Sequence, residues 1–137
     1  MKKNDLLNSV LAWDGKCKTQ IGDIYRSNHL DKEFLIKCVE LVNQEGACNG
    51  ATWLIKTYIQ SHGKPGSKQA LTDSVTDRLL ETLVQAASWQ TELHILQCLP
   101  YILIPPYWAR PLKAQLHTHL TPPNKFVRAW SYGGLYL

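Results

Sequence analysis

Apolar side chains recur along this chain at intervals of three and four, the spacing of one face of an α-helix. Leu6, Leu7, Val10 and Leu11 follow Asn4, which suits an N-cap, and Asp14-Gly15 supplies a stop, so a first helix is predicted there. Cys17, Ile21, Ile24 and Tyr25 form a second face that tolerates Gly22 and exits at Ser27-Asn28-His29. Asp31 is placed to cap a third helix with Phe34, Leu35, Cys38, Leu41 and Val42 inward, Glu33 and Lys37 paired outside, and Gly46 at its end. Ala51, Leu54, Ile55, Tyr58 and Ile59 mark a fourth, closed by His62 and Gly63.

Gly63-Lys-Pro-Gly-Ser-Lys68 gathers turn formers and charge and reads as the longest irregular connection. Beyond it Thr72 suits the cap of a helix with Val75, Leu79, Leu80, Leu83 and Val84 inward. Ser88 suits the cap of another, whose face runs Ile95, Leu96, Leu99, Ile102 and Leu103 with a kink at Pro100. Pro105 and Pro106 end it and open a helix with Trp108, Leu112, Leu116 and Leu120 in one stripe, where Pro111 is tolerated only near the first turn. Thr121-Pro-Pro-Asn124 leads into a last helix, Phe126 to Leu137.

No stretch alternates apolar and polar residues between hairpin turn signals, so the chain reads as all-α. Pairing the segments gives about four helical hairpins. Their first helices start near residues 5, 32, 72 and 107 and their second helices near 17, 47, 89 and 125. These spacings approach the roughly 40-residue period of helical repeats, in which hairpins stack because one pair cannot bury its own apolar face. With 137 residues, 45% of them hydrophobic, a single domain over 1–137 is expected.

Composition narrows the setting. The longest apolar run, Cys98 to Trp108, contains three prolines and is too short to span a membrane, and Asn4, Asp5, Asn8, Ser9 and Asp14 break up any leader-like apolar core. The four cysteines, at 17, 38, 48 and 98, form no Cys-x-x-Cys pair and read as buried or incidental thiols in a reducing compartment, so a cytoplasmic location is expected.

Pro111 early in a first helix, the short turn ending at Asn124, and Val127-Arg128-Ala129 opening a second helix resemble HEAT-like helical repeats. The likeness is best in the third and fourth hairpins, moderate in the second and poor in the first; Pro122-Pro123 and the absence of Asp in the last turn depart from the common pattern. The segment Asn124 to Tyr132 also looks like small bacterial proteins of unassigned function. The resemblance implies a HEAT-like α-α superhelix and little about activity.

Candidate chemistry is sparse. His117 and His119 stand about 200° apart on a helix and cannot clamp one ion; His29, His62 and His94 are scattered and read as helix-end or surface residues. No nucleophile elbow, dinucleotide fingerprint or P-loop is present. Asp73, Asp77 and Glu81 form an acidic stripe read as a solvated helix face. Cys17, Cys38 and Cys98 sit in apolar stripes as small hydrophobes. Neither a metal ion nor a cofactor is expected, and the protein is read as non-catalytic.

The formal charge is +4, and residues 92–137 hold Arg110, Lys113, Lys125 and Arg128 against Glu92 alone. The same third carries Tyr101, Tyr107, Trp108, Trp130, Tyr132 and Tyr136, read first as filling hairpin interfaces. The expected function is binding of another macromolecule, a protein first, on a concave surface of the second helices that includes Lys56, Gln60, His94, Gln97, Lys125 and Arg128. The alternative is nucleic-acid binding, because the resemblance extends in architecture to HEAT-like alkylpurine DNA glycosylases. No membrane partner is expected. The apolar end Ala129, Trp130, Tyr132, Leu135, Tyr136 and Leu137 predicts self-association through the last hairpin.

Overall fold

Turn chemistry sets several of the helix boundaries. The computed structural model describes residues 3–44, 46–62, 73–85 and 88–118. Seven α-helices lie in them: α1 (Lys3–Ala12), α2 (Lys18–Asn28), α3 (Phe34–Leu41), α4 (Cys48–His62), α5 (Asp73–Gln85), α6 (Trp89–Leu96) and α7 (Ala109–Thr118), with short 3-10 turns at Leu99–Tyr101 and Pro106–Trp108. No strand occurs among the described residues, and the protein is all-α. The chain divides into two compact units, Met1–Tyr58 and Ile59–Leu137.

In the first unit, Gly15 and Gly46 adopt φ of +84° and +81°, the left-handed conformation in which a side chain is strained. Beside the first, an Asp14 carboxylate oxygen accepts from the amides of Lys16 and Cys17 at 2.8 Å each. The chain is thereby turned into α2, and those two donors hold the Asp14 carboxyl below its ordinary value. Asn4 does not cap α1, which already includes Lys3.

Asp31 works differently from expectation. Its Oδ1 accepts from the Glu33 amide at 2.9 Å and its Oδ2 from Lys37 Nζ at 2.6 Å, so Lys37 pairs with Asp31 rather than Glu33. The Asx turn over 31–33 carries this carboxylate to the start of α3, within reach of a lysine on its first turn. The ammonium is the main cause of a lowered Asp31 carboxyl.

α1 packs on α2. Phe34 opens α3 and meets the Tyr25 ring edge-on and the Tyr58 ring at a tilt, both at 5.8 Å between centroids, so one aromatic side chain joins α2, α3 and α4. Leu6, Val10, Ile21, Cys38, Leu41 and Leu54 are buried with it. Buried Thr52 donates its hydroxyl to the carbonyls of Cys48 and Asn49 at 3.0 and 3.1 Å, which satisfies it within the helix.

α4 comes close to α1 at Gly50, where a Cβ would stand 2.6 Å from Val10 Cγ1 and 3.4 Å from Trp13 Cε3. Val10 is buried and stiff at χ1, so it cannot swing aside. Gly50→Ala is therefore expected to destabilise the protein by about 1–3 kcal/mol despite the higher helix propensity of alanine. Urea denaturation checks this, and a stabilised variant would mean the two helices are not in contact there.

In the second unit, α5 buries Val75, Leu79, Leu80 and Leu83 and packs on α6 and α7. Ser88 caps α6, its Oγ accepting from the Thr91 amide at 3.3 Å. The expected kinked helix to Leu103 does not form. α6 ends at Leu96, and a 3-10 turn follows at Leu99–Tyr101. Pro100 has no N–H to give the Leu96 carbonyl and its ring would strike that oxygen, so the helical ladder stops there. Ile102 is then extended and still buried, whereas Leu103 is 50% exposed. Pro111 is the third residue of α7, within the first turn, where no amide hydrogen is needed.

Three other positions are more open than their stripes implied: Leu11, Val84 and Cys17 are exposed. The 63–68 connection, the Thr72 cap, the last helix from Phe126 and the self-association patch lie outside the described residues.

Candidate functional site

Of the six residues assigned to a binding surface, Lys56, Gln60, His94 and Gln97 are described, and Lys125 and Arg128 lie outside the described residues. All four are half-buried. Lys56 and Gln60 stand one turn apart on α4; His94 lies in the last turn of α6, and Gln97 is its C-cap.

α4 separates its two sides cleanly. Ala51, Thr52, Leu54, Ile55 and Ile59 are buried, and the opposite arc carries Trp53, Lys56, Thr57 and Gln60. Lys56 Nζ lies 4.9 Å from the centre of the Trp53 ring, a cation–π contact that gives the ammonium a defined position. Thr57 donates its hydroxyl to the Trp53 carbonyl at 2.9 Å. Lys56 and Thr57 are thus both braced against Trp53 on this face of α4. Trp53 was not included in the sequence assignment, although its i, i+3 spacing from Lys56 was the available signal.

A second polar cluster departs from the sequence reading. Asp77 Oδ1 accepts from Tyr107 Oη at 2.6 Å and from Trp108 Nε1 at 2.8 Å, tying the turn at Pro106–Trp108 to α5. Asp77 is thus a tether and not only a solvated member of an acidic stripe. The Tyr107 and then the Trp108 donor hold its carboxyl below the ordinary value. A carboxyl lowered by folding adds stability above its unfolded pKa of about 3.9, and that stability is lost as pH falls through the folded value. Asp77→Asn should therefore melt below the parent at pH 7, with the gap closing as pH falls through the lowered folded value; a gap independent of pH would show that the charge is not what Tyr107 and Trp108 hold.

Other reactive side chains have structural places. His29 stacks on Tyr25, ring centres 4.7 Å apart, with Nδ1 3.0 Å from the Tyr25 carbonyl. Burial pushes the Cys38 thiol far up, and buried Cys98 donates its Sγ hydrogen to the His94 carbonyl at 3.3 Å. Among the described residues no group of three or more His, Cys, Asp or Glu side chains is arranged to hold a metal ion, and no helix is long and apolar enough to cross a membrane. Comparison with known proteins finds no matching family model, no matching curated protein and no matching solved structure.

Proposed function

We propose that this chain is a cytoplasmic, HEAT-like stack of helical hairpins that binds another protein through the polar arcs of its second helices and has no chemistry of its own. The observation that carries the reading is the arc on α4, where Lys56 is held over Trp53 with Gln60 one turn further on. A cation already ordered by an aromatic face loses less side-chain entropy on binding, and tryptophan is among the residues that carry most interface energy. The contacts of α5 with both α6 and α7 support a stack, because a first helix in such an array touches its own partner and the next first helix.

A photo-cross-linking residue at Gln60, and separately at Gln97, is expected to trap the same protein, and Lys56→Glu to weaken that complex about tenfold. Failure of both positions to trap a common partner would remove the surface from consideration. Nucleic acid is the second reading, favoured by exposed Arg110 and Lys113 on α7 beside exposed Tyr107. Salt-sensitive retention of a short duplex, reduced by Arg110→Gln with Lys113→Gln or by Lys125→Gln with Arg128→Gln, would move the assignment there.

A further inference from the structure

A groove of about 400 Å³ lies between α1 and α2, lined by Ala12, Gln20, Asp23, Ile24, Ser27 and Asn28 together with Ser9. Its polar groups are incompletely used. Asn28 is only 6% exposed; its Nδ2 donates to the Ile24 carbonyl at 2.7 Å, and its Oδ1 receives no hydrogen bond from any described residue. A buried amide oxygen is unfavourable without a donor, and beside an open groove water or a ligand group can supply one. Gln20 donates Nε2 to the Ala12 carbonyl at 3.4 Å, and its Oε1 likewise has no described donor. Asp23 pairs with Arg26 through Oδ1, and its Oδ2 has no described donor.

We propose that this groove binds an alkylammonium group. An ammonium has three donors and no acceptor, which suits the free oxygens of Asn28, Gln20 and Asp23, and the carboxylate supplies the opposite charge. Ile24 and Ala12 offer apolar surface to the methylene stem, as protein surfaces do for lysine stems. Arg26 is no barrier: its side chain and that of Asp23 are 64% and 63% exposed, and an ion pair so open to water is weak and readily exchanged. The group could arrive on a free diamine or on a lysine side chain.

The test is a titration of the ¹⁵N-labelled full chain at low salt with 1,4-diaminobutane, Nα-acetyl-lysine methylamide and glycerol in parallel. Saturable shifts confined to the amides of Gln20, Asp23, Ser27 and Asn28 are expected with one or both amines, with Kd on the order of millimolar. The tighter of the two amines identifies the source. Asp23→Asn should weaken binding about tenfold, whereas Glu33→Gln, an acid elsewhere on the surface, should leave it unchanged. Asn28→Ala should weaken it too, and if that variant does not fold, Asp23→Asn and Gln20→Ala decide. Absence of saturation, an equal response to glycerol, or binding indifferent to Asp23→Asn would overturn the proposal; the last two would leave the groove to water and polyols.

Discussion

Phe34→Ala is expected to cost about 3–5 kcal/mol, the largest single effect foreseen in the first unit. Phe34 is 1% exposed and its ring touches both Tyr25 and Tyr58, so truncation removes buried area and two aromatic contacts together. The void is slow to fill, because its walls are set by three helices whose own turns are fixed at Asp14, Asp31 and Gly46. Guanidinium denaturation followed by far-ultraviolet circular dichroism measures the loss. Phe34→Leu should recover part of it by restoring apolar volume without the ring contacts. A loss below about 1 kcal/mol for alanine would mean that α2, α3 and α4 do not meet at this residue.

The second large effect is Leu99→Ala, expected at about 2–5 kcal/mol. Leu99 is 1% exposed and opens the 3-10 turn after α6, with Ile95, Leu96, Cys98 and Ile102 buried alongside. Its informative control is Leu103→Ala, expected within about 0.5 kcal/mol of the parent because Leu103 is half-exposed. An α-helix continued through Pro100 would put Leu99 and Leu103 one turn apart on the same face and make both substitutions costly. Equal losses at the two positions would restore that continuous helix. Loss at Leu99 alone supports the break at Leu96.

What could be read from the sequence was governed by neighbours a few residues apart. Glycine at 15 and 46, the cap at Ser88, and the prolines at 106 and 111 act through bonds within one turn of chain, and the helix starts observed at 34, 48, 73 and 89 lie within two residues of those expected. The buried faces of α4 and α5 follow from the 3.6-residue period, and with them the outward row of Lys56 and Gln60. Pro100 was visible too, but its consequence was underestimated: the lost hydrogen bond and the clash with the Leu96 carbonyl end the helix where a kink was expected.

Other features required packing to bring distant residues together. Asp77 meets Tyr107 and Trp108 across 30 and 31 residues, and Gly50 meets Val10 across 40, separations at which no local period carries information. The side chains of Asn28, Gln20 and Asp23 are ordinary surface chemistry on an isolated α2; packing α1 beside them makes these residues part of the lining of a groove. The sequence by itself determined that the chain is helical, where most helices begin and which sides turn inward, because those follow from backbone sterics and side-chain solvation within a few residues. Which helix faces which, and therefore which polar atoms are left without partners, was decided only by the tertiary structure, because packing depends on shape matched across the whole interface between elements.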